Sequence, residues 1–149
     1  MTSGETINVL MMPATAAQAD AMVPLMAPGD LARLGSLDIR ALLESSPLSW
    51  CSTHIGKPMC IGGVTANGVA WMMSTPELHR QKRFFLRQTK TVMTALETHY
   101  DRVVTVVERC YPMSHRWLVW AGFESEPMDR HILLHGRDAH VRVFWKGQK

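Results

Sequence analysis

The stretch DRVVTVVERCYPMSHRWLVWAGF, residues 101–123, decides the fold of this chain. Its first part, residues 103–107, is a continuous run dominated by β-branched side chains, which is typical of a strand buried on both faces. We therefore predict that this strand is internal in its sheet. Helical spacing follows over residues 113–121, and Gly122 is suited to end that helix.

The segment before this strand, residues 78–98, has the spacing of a long helix. Its apolar positions fall on one side and are Leu78, Phe85, Val92, Met93 and Leu96. We predict that this side packs across a sheet. A strand joined to its neighbour through such a helix predicts a right-handed β-α-β crossover.

Three short apolar runs precede the helix, at residues 48–55, 58–64 and 69–74. Asn67 and Gly68 lie between the last two, and this pair favours a tight hairpin because both residues accept a positive φ. The runs therefore predict an antiparallel meander.

The remaining elements lie at the two ends. Residues 7–12 predict a first strand, and Thr15 can cap a helix that reaches about residue 26 and is shortened by Pro24. Asp30 and Ser36 are plausible starts of further helical turns, and residues 141–145 end an extended region of one or two strands. The predicted fold class is α/β, in the α+β sense, with a mixed, largely antiparallel sheet flanked by helices.

Composition limits the classes of function. The chain has 149 residues, 46% of them hydrophobic, with a net charge of +3, and we expect one domain over residues 1–149. No apolar run reaches the roughly 18 residues of a membrane helix, and no leader is legible, so we expect an intracellular protein without a membrane partner. The cysteines Cys51, Cys60 and Cys110 are expected to be reduced, mostly buried thiols, and no metal site is predicted.

This order of elements, with the segment WLVWAGF at residues 117–123, resembles the fold of the GNAT acyltransferases. A narrower likeness is to the small internal virion protein, needed for particle morphogenesis, of short-tailed podophages. The residues that carry it are PMCIGG (58–63), WMMS (71–74), KRF (82–84), YD (100–101) and SHRWL (114–118).

The GNAT resemblance implies a pyrophosphate site where the strand at residues 69–74 leads into the long helix. The family pattern there is Gln or Arg, two residues, Gly, one residue, then Gly or Ala. If Arg80 takes the first position, Arg83 and Phe85 take the two small positions; if His79 does, Lys82 and Phe84 take them. We predict that this bulk occludes the site. The alternative is that the side chains of Arg80, Gln81, Lys82 and Arg83 bind a diphosphate in place of the backbone.

The resemblance also implies a proton donor for the leaving thiolate, which many GNAT enzymes supply from a Tyr on the short helix. Leu118 occupies that position here and has no proton to donate. Glu108 and Tyr111, just past the strand at 103–107, are the candidate substitutes for catalysis. The simpler interpretation of Glu108 is a surface carboxylate paired with Arg109 or another cation.

A basic stripe is predicted on the long helix, where Arg80, Arg83, Arg87 and Lys90 recur at helical intervals. It suits an acidic protein surface or nucleic-acid phosphates, and a solvated face is the simpler interpretation.

Two hypotheses of function follow. The first is a phage virion or assembly protein that acts by contacting phage virion or host proteins. In this hypothesis the chain has lost acyl-CoA catalysis and needs no cofactor. It is located in the host cytoplasm during infection or in the virion. The alternative is an active acetyl-CoA-dependent N-acetyltransferase that modifies a host or phage protein amine.

Overall fold

The computed structural model describes residues 14–147 in full and the backbone of residues 7–10. The helices are α1 (Ala16–Met22), α2 (Pro28–Arg33), α3 (Ile39–Glu44), α4 (Glu77–Arg80), α5 (Lys82–His99) and α6 (Pro112–Trp120). The strands are β1 (Ile7–Leu10), β2 (Leu48–His54), β3 (Lys57–Val64), β4 (Ala70–Ser74), β5 (Arg102–Glu108), β6 (Glu124–Ser125), β7 (Arg130–Leu134) and β8 (Arg137–Gly147).

The strands form two antiparallel sheets. The first has the order β1-β2-β3-β4, and the second has the order β5-β8-β6, with β7 also paired to β8. The sheets meet at one parallel bridge between Val69 and Val104, where the Val104 N–H donates to the Gly68 carbonyl at 2.8 Å. The fold is therefore the predicted mixed α+β fold, with a β-α-β connection that runs from β4 through α4 and α5 to β5.

The prediction that the strand at residues 103–107 is internal is wrong. β5 pairs with β8 along its whole length, but it meets β4 only at the Val104 bridge, so its other edge borders the gap between the sheets. Val103 and Thr105 are buried, whereas Val104 and Val106 are half-buried. A continuous run of apolar residues indicates that both faces of a strand are covered by other side chains. It does not indicate whether both edges of the strand are hydrogen-bonded to neighbouring strands.

Helices cover both faces of the sheets. One core cluster joins α5 and α6 to β2, β3, β5 and β8; its buried members are Trp50, Val64, Val92, Met93, Leu96, Val103, Leu118, Phe123 and Phe144. The other joins α1 to β2, β3 and β4; its buried members are Ala19, Met22, Met26, Cys51, Ile61 and Met73. The predicted apolar side of the long helix thus packs on the sheets, with Thr89 also buried on it.

Two glycines of β3 make room for two tryptophans. Gly62 lies opposite Trp50 of β2, and Gly63 lies opposite Trp71 of β4. A Cβ atom at Gly62 would come within 2.6 Å of Trp50 Cε2, and one at Gly63 within 2.8 Å of Trp71 Cζ2. The two indoles belong to the two different core clusters, so β3 carries an aromatic ring against each face.

The amino-terminal helices follow the capping signals with two corrections. Thr15 caps α1 in a capping box with Gln18, and α1 ends before a 3-10 turn that contains Pro24. α2 begins at Pro28, so Asp30 lies within its first turn and does not start it, and α3 is capped by Asp38 and not started by Ser36. The Asp38 carboxylate accepts from the Ala41 N–H at 3.2 Å.

Three further boundaries differ from the expectations. In the turn after β3 only Gly68 has a positive φ, while in the turn before β3 both Ile55 and Gly56 do. The long helix is interrupted at Gln81, which separates α4 from α5. The region after Gly122 holds three strands instead of one or two, and residues 11–12 of the predicted first strand lie outside the described residues.

Cys51 and Cys60 are buried and Cys110 is exposed, and all three are free thiols. Burial raises the pKa of Cys51 to about 11 and that of Cys60 to about 12, so these two thiols stay protonated at neutral pH. Across residues 7–10 and 14–147, no helix is both long and apolar enough to cross a membrane.

Candidate functional site

The start of α5 follows the strand at which the two sheets separate, because β4 leads through α4 into α5 and is not paired with β5 beyond the Val69–Val104 bridge. The first helical bond of α5 runs from the Phe85 N–H to the Gln81 carbonyl at 3.1 Å. Within the described part of the chain, nothing accepts from the N–H groups of the three residues before Phe85. Together with the dipole of an 18-residue helix, these N–H groups form an anion-binding end.

The four predicted phosphate-binding residues lie at this helix start but are not equally available. Glu77 accepts from Arg80 at 2.9 Å and from Gln81 at 3.1 Å, and these two bonds lower the pKa of its carboxyl group. Lys82 and Arg83 are exposed, and neither has an ion-pair partner among residues 14–147. Lys82 and Arg83 are therefore the cations that a ligand could meet without breaking an existing contact.

The expected occlusion by an aromatic ring is not found at Phe85. Its side chain is 6% exposed and packs against the Trp117 ring at a centroid distance of 5.6 Å. Phe84 is half-buried, with the Arg87 guanidinium 5.3 Å above its ring. The Phe85 ring is thus packed in the core. If Arg80 takes the first position of the pattern, the remaining bulk at the small positions is the exposed side chain of Arg83. If His79 does, it is the exposed side chain of Lys82 and the half-buried ring of Phe84.

α6 is held against the first turns of α5 on the far side of that ring. The Trp117 Nε1–H donates to Thr89 Oγ1 at 3.2 Å, in addition to its contact with Phe85. Leu118 follows it and is 5% exposed, inside the core cluster. The position at which the GNAT resemblance implied a proton donor is therefore filled by an apolar side chain that packs among other apolar side chains.

The structure brings Glu108 and Tyr111 close to one set of partners at the end of β5. Glu108 accepts two bonds from Arg137, at 2.8 and 2.6 Å, and one from Arg33 at 3.2 Å. Tyr111 donates to Asp30 Oδ1 at 2.6 Å, and the Arg33 guanidinium lies 5.8 Å from its ring centre. We call these five residues the Glu108 cluster.

The electrostatics of the Glu108 cluster favour a structural role for both candidates. The bonds from Arg137 lower the pKa of Glu108, so its carboxylate has little tendency to take up a proton. Burial, followed by the bond to Asp30, raises the pKa of Tyr111, so its hydroxyl stays protonated and engaged. The predicted cationic partner of Glu108 is present, but it is Arg137 with Arg33 and not Arg109.

No local signal pointed to these partners. Arg33 is 75 positions from Glu108 and Arg137 is 29 positions from it, while Asp30 and Tyr111 are 81 apart. The cluster links α2, the end of β5 and the start of β8. It is reinforced where the Ser36 N–H donates to the His135 carbonyl at 2.9 Å.

A cavity of about 460 Å³ lies on the β3 side of the connection between β4 and α4. Arg80, Lys57 and His54 line it, and His54 Nδ1 is 2.9 Å from Glu77 Oε2. Glu77 lines it as well as Arg80, so the cavity reaches the turn that precedes the start of α5, whereas Lys82 and Arg83 are not part of its lining. The basic stripe begins at this cavity with Arg80 and continues along α5 with Arg83, Arg87 and Lys90, all of which are exposed.

Comparison with known proteins identifies the fold. The chain is similar to a ribosomal-protein alanine N-acetyltransferase from Escherichia coli (TM-score 0.67, 11% identity, 93% of this chain and 92% of that one). It is also similar to a Bacillus subtilis acetyltransferase in complex with CoA (TM-score 0.61, 11% identity, 96% of this chain and 99% of that one). A third similar structure is the Vibrio cholerae spermidine N-acetyltransferase in complex with CoA and spermine (TM-score 0.60, 12% identity, 95% of this chain and 95% of that one).

No family model matches the sequence, and no curated protein matches it. At identities of 11–12% the structural likeness establishes the GNAT fold and not the activity. The predicted GNAT fold is therefore confirmed, whereas the likeness to the podophage virion protein has no support from these comparisons.

Proposed function

We propose that this chain binds acetyl-CoA at the gap between β4 and β5 and transfers the acetyl group to a protein amine. The observation that carries the proposal is the start of α5, where three backbone N–H groups without partners among the described residues lie next to the exposed side chains of Lys82 and Arg83. A diphosphate satisfies such N–H groups and is favoured by the helix dipole.

The missing glycines set the expected strength of binding. Gly lets a backbone approach a phosphate closely, and at the first small position Arg83 carries a long side chain instead. That side chain is exposed and has a planar guanidinium that matches phosphate, so it replaces part of the lost backbone contact. We therefore expect micromolar affinity, weaker than a glycine-rich site would give.

The protein's own residues contribute positioning more than proton transfer. When bound, acetyl-CoA supplies the activated acetyl group, and the amine nitrogen replaces the sulfur on the acetyl carbon. Leu118 is buried and apolar, and Glu108 holds no proton while it is paired with Arg137. The Tyr111 hydroxyl keeps its proton in the bond to Asp30. The amine nitrogen would therefore lose its proton to water and the leaving sulfur would take one from water, so we expect slow turnover.

Calorimetric titration of the full chain with acetyl-CoA tests the proposal. We expect saturable binding by the wild type and a loss of about tenfold or more in the double variant Lys82→Glu/Arg83→Glu, which places two carboxylates beside the diphosphate. The matched control, Arg87→Glu/Lys90→Glu, changes the same charge one to two turns further along α5. Absence of heat with the wild type, or equal losses in both double variants, contradicts the proposed site.

A second candidate function is the non-catalytic virion or assembly role on the same scaffold. The observation that favours it is the combination of Leu118 in the core with Arg83 and Phe85 at the positions where the family pattern has small residues. In this case the exposed stripe contacts acidic surfaces of phage or host proteins, or nucleic acid, instead of a cofactor.

For this candidate, Arg83→Ala together with Arg87→Ala is expected to weaken co-sedimentation with virion proteins of a short-tailed phage. The melting temperature should remain nearly unchanged because both side chains are exposed, and the wild-type association should weaken as salt rises. Equal association of the wild type and the double variant at low salt would remove the stripe from consideration.

A further inference from the structure

A second surface cavity, of about 400 Å³, lies on the side of α6 that faces away from α5. Trp117 points from α6 toward α5, whereas Arg116 and Trp120 line this cavity opposite Arg142 and Phe144 of β8. Arg109, from the connection between β5 and α6, closes one end. None of these groups belongs to the gap between β4 and β5.

Arg142 has the geometry of a prepositioned anion receptor. Its side chain is 27% exposed, and its Nε–H donates to Asp129 Oδ1 at 2.8 Å. Among the described residues, none accepts from its two terminal nitrogens. The guanidinium is therefore held in place by one edge while its terminal N–H groups remain available to a ligand in the cavity.

One carboxylate orients two guanidiniums and leaves positive charge uncompensated. The second oxygen of Asp129 lies 3.3 Å from Arg109 Nε and 3.4 Å from His140 Nε2, so Arg109 forms an ion pair with the carboxylate that orients Arg142. Arg116 is exposed and makes no ion pair within residues 14–147. His115 lies beside these groups, with its Nε2 3.0 Å from the Glu108 carbonyl oxygen and its Nδ1 3.2 Å from Arg109 Nη1. Two arginines thus share one carboxylate, and Arg116 adds a third guanidinium to the lining of the same cavity.

The wall of this cavity includes a large aromatic surface. Trp120 is 55% exposed and Val119 beside it is 63% exposed. An exposed indole next to guanidinium groups can stack on the face of a planar ring, and base stacking of this kind contributes substantially to the binding of single strands.

We infer that this cavity binds single-stranded nucleic acid, with a backbone phosphate on Arg142 and Arg116 and the neighbouring base on Trp120. The planar fork of a guanidinium matches phosphate oxygens, and the indole matches a base. An acidic peptide would satisfy the arginines but would leave the indole without a planar partner. The inference is independent of the proposed acetyl transfer, since the two sites share no residue.

Fluorescence anisotropy of a labelled ten-nucleotide single-stranded DNA, with the full chain at low salt, tests the inference. We expect saturable binding whose affinity falls by about fivefold or more in Trp120→Ala, through lost stacking. In Arg116→Gln we expect the slope of log affinity against log salt to flatten by about 0.7, the change for one lost phosphate contact on a single strand. Both side chains are exposed, so the variants should fold normally.

The controls distinguish this site from general attraction to a basic protein. Arg102→Gln removes an exposed arginine at the other end of β5 and should leave the affinity unchanged. Polyglutamate of equal charge should compete at least about tenfold less well than unlabelled DNA, because it cannot stack on Trp120. No binding by the wild type, no effect of Trp120→Ala, or equal competition by polyglutamate would each overturn the inference.

Discussion

Glu108→Gln is expected to lower the free energy of unfolding by about 3 kcal/mol, because it removes one partner of a largely buried ion pair. The Glu108 side chain is 11% exposed and binds both Arg137 and Arg33. A neutral amide keeps one acceptor oxygen, but it carries no negative charge for the two arginines and places an NH2 group where the second carboxylate oxygen accepted a bond. The remaining acceptor of Arg137, the Arg33 carbonyl at 2.8 Å, is uncharged. Urea unfolding followed by circular dichroism measures the loss.

The control for this prediction is a second ion pair with the same separation but full access to solvent. Arg40 and Asp20 lie 2.6 Å apart, with side chains 63% and 58% exposed. Asp20→Asn should cost less than about 1 kcal/mol, since water screens and replaces an exposed pair. Equal losses in the two variants would show that the Glu108 cluster contributes no more than a surface ion pair.

The contribution of Glu108 also has a defined pH dependence. Its pKa is lowered from the ordinary value of 4.5 by the bonds from Arg137, so the folded state favours the charged carboxylate. That stability is fully present above the unfolded pKa and is lost as pH falls through the folded pKa. The difference between wild type and Glu108→Gln should therefore be constant at neutral pH and shrink in acid. Other acidic groups with lowered pKa values, such as Asp129, are common to both proteins and cancel in this difference.

Gly62→Ala is expected to destabilise the fold by about 2–3 kcal/mol, through overpacking against the Trp50 indole. The added Cβ would come within 2.6 Å of Trp50 Cε2, and Trp50 is 4% exposed, so the ring has little room to move. Chemical unfolding gives the loss in stability. Near-ultraviolet circular dichroism of the folded variant should show an altered tryptophan signal.

Gly29→Ala is the matched substitution, because a Cβ at Gly29 in α2 meets nothing within 4 Å. We expect it to raise the stability by about 0.5 kcal/mol, since alanine loses less backbone freedom than glycine when a helix forms. A Gly62→Ala protein as stable as the wild type would mean that Trp50 has another rotamer available, and that the ring does not depend on a glycine beneath it.

Local sequence patterns determined the elements and much of their order. The spacing of Phe85, Val92 and Leu96 predicted the buried side of α5 because a helix repeats its side-chain direction about every 3.6 residues. Thr15 and Gly122 marked a helix start and a helix end through capping and left-handed backbone geometry. These signals depend on neighbours in the chain, so a sequence is sufficient to read them.

Part of the candidate site could be predicted from the sequence for the same reason. The cations at the start of the long helix were predicted from their position after the third meander strand, and the structure has them there. The sequence did not predict which of these side chains are free to bind a ligand. Glu77 bonds to Arg80 and Gln81, whereas Lys82 and Arg83 remain exposed. Sequence spacing allows all of these pairings, and only the geometry of the break at Gln81 selects among them.

Contacts between distant segments were decided by the tertiary structure alone. The sequence showed that β5 is apolar, but the divergence of β4 and β5 made it an edge strand bordering a gap. The partners of Glu108 come from α2 and β8, and the arginines around Asp129 come from separate elements. Such contacts form only after long loops have closed and the layers have packed, and no local periodicity records which side chains then meet. The direction of the Phe85 ring was decided in the same way, because the Trp117 indole from α6 packs against it.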